Sequence, residues 1–199
     1  MNKNEKQRRA GVELRALEAI EGGAMRISGK AIAFNSPTVV WRDENGVEYF
    51  EQIDPHALDG ADMKDTCLRY NHVNAIPILA RIRGGSLKLE IREDGVYFEA
   101  ELFNTTAARD CYELVRQGAL QCSFGFTMPP DGGFNYDRAT RMRTITRIER
   151  LIDISIVDVP AYKDTFVQPS LRDLFSAEAE AERLESRAQR VRMLSASTF

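Results

Sequence analysis

The chain has 199 residues, 43% hydrophobic and 29% charged, with a formal net charge of −3 and a sequence pI near 5.6. Such a composition supports one globular domain with a proper core and an appendage. It argues against nucleic-acid binding as the main role, because neutralising phosphates needs a basic face. No apolar run reaches the roughly 18 residues of a membrane span. Residues 1–10 are polar and basic with no apolar stretch behind them, so no secretory signal is read. The three cysteines (Cys67, Cys111 and Cys122) include no Cys-x-x-Cys and read as reduced thiols of a cytosolic protein. The two histidines, His56 and His72, argue against a multi-histidine metal site, and Cys67 with His72 does not make a zinc site. No metal or cofactor is expected.

Residues 1–22 read as an arm, with a first strand around residues 12–16. Residues 26–35 read as a strand stopped by Asn35-Ser36-Pro37. Residues 38–53 suggest a hairpin about Asn45-Gly46, a pair suited to the positive φ values of a type I′ turn. Asp54-Pro55 predicts a short helix over residues 55–62, with His56 on its surface. Residues 66–72 are strand-like and end on His72, beside a loop. A histidine at such a place can be both fixed and reachable.

Residues 86–103 alternate on either side of Asp94-Gly95 and form the clearest hairpin. A helix over residues 106–117 follows, with Ala108, Cys111, Leu114 and Val115 as its buried stripe and Gly118 as its stop. It leads into a strand on which Leu120, Cys122, Phe124, Phe126 and Met128 face one way. Gln121, Ser123, Gly125 and Thr127 face the other. A serine held on a packed strand, with a glycine two residues on, can meet a substrate backbone closely. Residues 129–143 read as a loop. Residues 143–159 resume β structure, with Asp153 among isoleucines, an unusual place for a carboxylate.

From Leu171 the chain is helix-like, with Leu174, Ala177, Ala181, Leu184, Ala188 and Val191 as a thin apolar stripe. Glutamates crowd the first half of this tail and arginines the second, which suits the helix dipole.

Hydroxyl attack at neutral pH needs a base, and the base needs a third group to hold its tautomer. Ser123, His72 and Asp153 are the residues that could fill those roles from one sheet. No Gly-x-Ser-x-Gly elbow exists, which disfavours an esterase of the α/β-hydrolase type.

Five short motifs in order make the chain resemble the prohead (capsid maturation) serine proteases of tailed phages, a family related to the herpesvirus assemblins. They are Ile27 to Pro37, Phe50 to Leu58, Asn71-His72, Arg116-Gln117-Gly118 with Ser123-Phe124-Gly125-Phe126, and Leu151 to Val157 with Pro160-Ala161-Tyr162. The resemblance covers residues 26–167. Three departures stand out: His56 replaces the family's usual glycine, Val73 stands where an acid or similar polar residue often follows the family histidine, and no histidine follows Ser123 to serve as the assemblins' third triad member. That role then falls to a carboxylate, Asp153, with Glu149 and Asp158 as alternatives.

The resemblance implies a mainly β fold with flanking helices (α+β). It implies a partly closed antiparallel β-barrel of assemblin-like type with a C-terminal helical tail. The implied divisions are an arm (1–22), a protease domain (23–170) and a helical tail (171–199). The implied activity is serine endopeptidase cleavage of scaffold and major capsid proteins, and of the chain itself, inside the immature prohead in the host cytoplasm. Ser123 would attack, His72 act as base and acid, and Asp153 orient it, with Arg143, Arg147 or backbone N–H groups holding the oxyanion. No cofactor, nucleic acid or membrane is implied. A homodimer is, because assemblins work as dimers. The alternative is a non-catalytic structural protein of the capsid or scaffold.

Overall fold

The computed structural model describes residues 7–10, 13–17, 23–158 and 169–196. In chain order the strands are β1 (Gln7–Ala10), β2 (Glu13–Ala16), β3 (Arg26–Ala33), β4 (Thr38–Arg42), β5 (Glu48–Ile53), β6 (Cys67–Tyr70) and β7 (Ala80–Arg81). Next come β8 (Leu87–Arg92), β9 (Gly95–Glu101), helix α1 (Thr106–Arg116), β10 (Gln121–Thr127), β11 (Phe134–Asp137), β12 (Met142–Ile145), β13 (Arg150–Val157) and helix α2 (Pro169–Ala196). The strands form three sheets, ordered β1-β10-β13-β6-β7, β11-β12-β5-β4 and β2-β3-β9-β8. Pairing is antiparallel except between β5 and β12 and between β6 and β13. The protein is thus mainly β with two helices. Among the described residues the sheets do not join into one closed hydrogen-bonded barrel.

The alternation read from the sequence is what packs the core. Cys122, Phe124 and Phe126 of β10 meet Leu151, Ile154 and Ile156 of β13 in the main cluster, with Ile27, Phe98, Leu68 and Ile145 from neighbouring strands. Helix α1 is capped by the Thr105 side chain, which accepts from the Ala108 N–H, and it buries Ala108, Cys111 and Val115. Gly118 at φ 68° ends it, a left-handed conformation that favours glycine. Leu114, expected in the buried stripe, is 38% exposed, because the face is only as wide as the three residues that do pack.

Several expectations fail locally. Of the residues in the first hairpin's turn only Gly46 has positive φ. The turn is not type I′, because the Asp43 carboxylate accepts the N–H groups of Asn45 and Val47 and sets a wider loop. Residues 55–60 form consecutive turns instead of a helix. Their N–H groups reach back three residues (Ala57 to Asp54, Asp59 to His56), and Gly60 at φ 78° breaks the run. The supposed loop over residues 129–143 holds β11, which pairs with β12. Strand β1 was not anticipated at all.

Helix α2 packs through a different stripe from the one expected. Phe175 and Ala179 are buried against Val40 and Tyr49, with Trp41, Val47 and Tyr136 around them, while Leu184 is 60% exposed. The expected stripe lies off this face by one or two positions, because Phe175 is the bulkiest group available to fill the aromatic niche. Carboxylates on the same side reach the sheet: Glu178 pairs with Arg138, and Glu182 with Arg141. The side chains of Leu174 and Val191, and the block Val159, Pro160, Ala161 and Tyr162, lie outside what is described.

Phe175→Ala should cost about 3 kcal/mol by emptying this niche. The check is a lower urea midpoint with red-shifted emission of Trp41, the single tryptophan, whose ring centroid lies 6.1 Å from that of Phe175. Unchanged emission would mean that the helix does not dock there.

Candidate active site

Strand β13 lies between β10 and β6, so one sheet presents residues from three neighbouring strands. Ser123 stands opposite Ser155, and Gly125 opposite Asp153. Asp153 in turn stands beside Cys67 of β6. Opposed residues share a face, so Ser123, Ser155 and Asp153 all project away from the phenylalanine row. Asp153 and Ser155 are fully buried, and Ser123 is 1% exposed.

His72 arrives from beyond the end of β6. The backbone there takes left-handed conformations at two successive non-glycine residues, Asn71 (φ 50°) and His72 (φ 56°). Such residues cost about 1–3 kcal/mol each and persist only when their surroundings over-determine them. Here the Asn71 N–H donates to Ile156 O (2.8 Å), the Asp158 N–H donates to Asn71 Oδ1 (3.1 Å), and the Val73 N–H donates to Tyr70 O (3.0 Å). The turn swings the His72 ring back over the sheet. Its Nδ1 lies 2.9 Å from Asp153 Oδ2, and its Nε2 lies 2.8 Å from Ser123 Oγ. Ser155 Oγ donates to the same Asp153 oxygen at 3.1 Å. With a proton on Nδ1, the ring donates to the carboxylate and offers a lone pair to the serine hydroxyl, the arrangement a general base needs.

The structure therefore brings Ser123, His72 and Asp153 together. It does not bring in the alternatives. Glu149 accepts from the Thr127 hydroxyl at 3.4 Å, Asp158 is exposed, and His56 pairs with Asp59 on the surface. The proposed oxyanion arginines are engaged elsewhere, Arg143 with Glu51 and Arg147 with Asp131.

Three further residues at the site were missed as participants. Ser155 was visible only as part of the closing motif. Arg9 and Glu51 gave no sequence signal of contact, since their ion pair joins residues 42 positions apart. The second serine acceptor is the Arg9 carbonyl, 2.8 Å from Ser123 Oγ.

A buried carboxylate, an imidazole and a serine hydroxyl in one hydrogen-bonded chain have the arrangement that serine hydrolases use. The chain belongs to the caudovirus prohead serine protease family, whose model matches residues 11–180. It is a serine protease of phage prohead maturation, acting on capsid-related proteins, which sets the purely structural alternative aside. No curated protein matches the chain. Among solved structures, the bacteriophage T4 capsid assembly protease has a similar fold, with a TM-score of 0.54 at 12% identity over 80% of this chain and 100% of that one.

Burial pushes the thiols of Cys111 and Cys122 up to about 12, so at pH 8 both are neutral and poor nucleophiles. Iodoacetamide at that pH should modify neither in the native protein and both after denaturation, by intact mass; native alkylation of Cys122 would contradict the packing of β10. Ser155→Ala deletes one hydrogen bond to a charged group, a loss of about 1.5–3 kcal/mol or roughly 10–100-fold. We expect it in kcat with KM little changed; wild-type kcat would show that Asp153 needs no such anchor.

Proposed function

We propose that Ser123 is the nucleophile, His72 the general base and then acid, and Asp153 the group that orients His72. The observation that carries this reading is the unbroken chain Asp153 Oδ2, His72 Nδ1, His72 Nε2, Ser123 Oγ at 2.9 and 2.8 Å. Ser123 Oγ attacks the scissile carbonyl carbon as its proton passes to Nε2. The imidazolium then gives that proton to the leaving amine nitrogen, the C–N bond breaks, and an acyl ester stays on Ser123. Water, deprotonated by His72, attacks the ester carbonyl carbon, the C–Oγ bond breaks as the imidazolium returns the proton to Ser123 Oγ, and the acid leaves. Asp153 stays ionised throughout and stabilises the imidazolium. The oxyanion falls to backbone N–H groups, since Arg143 and Arg147 are held by carboxylates.

The substrates on this reading are the scaffold and major capsid proteins, and the chain itself, inside the immature prohead in the host cytoplasm. Residues 23–170 are the protease domain, residues 1–22 an arm, and residues 171–199 a tail. That tail could dock the enzyme to its assembly partners. Family resemblance alone supports the assemblin-like, partly closed barrel and the homodimer.

Co-expression with the capsid and scaffold proteins tests the reading. Wild type should yield shortened partners and a trimmed protease by intact mass, and Ser123→Ala only full-length chains. Cleavage by Ser123→Ala would sink the assignment. Asp153→Asn should lower kcat by about 10⁴-fold, because the imidazole loses its correct tautomer; near-normal turnover would remove Asp153 from the role.

A further inference from the structure

The face of the sheet that carries the triad extends across β6 and β7. Arg69 of β6 lies in register with Ser155, which stands opposite Ser123. The three residues form one row across the strands. A second row runs through Gly125, Asp153 and Cys67 to Arg81 of β7. Residues in register share a face. The other positions of β6 agree with this parity, since Leu68 lies in the core cluster and Tyr70 packs against it. Two arginines therefore stand on the face of the hydroxyl and the carboxylate.

Neither is neutralised as the other cations of the fold are. Arg69 is half-buried, and among the described residues its side chain makes no hydrogen bond or ion pair. Arg81 meets the Asp65 carboxylate only at 3.8 Å, and Asp65 also meets Arg83, at 3.5 Å. Arg81 Nε is buried with no hydrogen bond. Asp153, the acid of this face, is taken by His72 and Ser155. A half-buried guanidinium without an acceptor forgoes the charge-assisted, bidentate pairing that suits it best, which is with a carboxylate.

We propose that Arg69, with the charge of Arg81 behind it, is a specificity-determining residue that takes an acidic side chain of the polypeptide substrate. Neighbouring strands lie about 4.8 Å apart, so Arg69 is about 10 Å from Ser123 along the row, and an extended chain advances about 3.3 Å per residue. The favoured Asp or Glu then lies about three residues from the scissile bond, not next to it. An amide in its place loses the charge and one of the two acceptor oxygens. This inference rests on Ser123 being the nucleophile.

The full-length protein is given a pool of proteome-derived peptides, and the cut sites are aligned by mass spectrometry. A fluorophosphonate adduct on Ser123 checks the nucleophile in parallel. Wild type should enrich Asp and Glu at one position about three residues from the cut bond. Arg69→Gln should lose that enrichment, and Arg69→Glu should replace it with Lys and Arg. For paired peptides with Glu or Gln at that position, kcat/KM should differ about tenfold in wild type, mainly through KM, and less than about twofold in Arg69→Gln. The wild-type preference should shrink as salt rises from about 0.05 to about 0.5 M. No acidic preference in wild type overturns the proposal, as does an undiminished preference in an Arg69→Gln protein that melts like wild type. So does an equal loss on both peptides, which would make Arg69 structural or catalytic. If the Arg69 variants misfold, the wild type decides: an acidic preference at that distance that fades with salt supports the proposal, and one that does not fade overturns it. An adduct on Ser123 without any cut at an acidic peptide overturns it too. Neither adduct nor cut in the wild type would instead remove the nucleophile, and this inference with it.

Discussion

The antiparallel ladder between β10 and β13 is the constraint on which the rest depends. Its register puts Ser123 opposite Ser155 and Gly125 opposite Asp153, and shifts after Gly125 so that Phe126 meets Leu151. Strand side chains alternate, so a one-residue slip would turn Phe124 and Phe126 to the polar side and drive Ser123 into the core. The apolar row therefore fixes more than packing. Burying Cys122, Phe124 and Phe126 against Ile154 and Ile156 decides which way the hydroxyl and the carboxylate point.

Two buried carboxylates are handled differently, and the difference follows from what surrounds them. Burial raises the free energy of the Glu51 carboxylate, but the guanidinium groups of Arg9 and Arg143 outweigh it and hold its pKa below the usual carboxylate value. Burial meanwhile pulls Arg143 down to about 10, against the attraction of Glu51, and leaves it charged at neutral pH. Asp153 is compensated by hydrogen bonds from Ser155 and from the His72 ring. Those partners are directional, and one of them is the His72 imidazole. A bidentate guanidinium would occupy both oxygens.

Much of this was legible in the sequence. Period-two alternation gave β8, β9, β10 and β13, and the apolar stripe with the Gly118 stop gave α1, because those signals are local. The candidate serine, histidine and carboxylate were legible as residue types, and the family motifs narrowed the choice. What was not legible depends on distant parts of the chain. Nothing in residues 7–10 says that they pair with β10, more than a hundred positions on. Nothing around Asn71 announces two left-handed residues; the turn exists because Ile156 and Asp158 supply its partners. The stripe of α2 was misread because alanine spacing was weighed above the single large ring of Phe175, which alone fills the aromatic niche.

A serine placed in mid-strand, unlike one on a tight turn, has sheet on both flanks of its strand. On one side, eight-residue β13 carries Asp153 and is itself held by β6, so moving it would dismantle the site. On the other, β1 has four residues and, among the described residues, no strand beyond it. The two flanks of β10 are therefore held very differently: β13 by strands on both sides, β1 by β10 alone among the described residues.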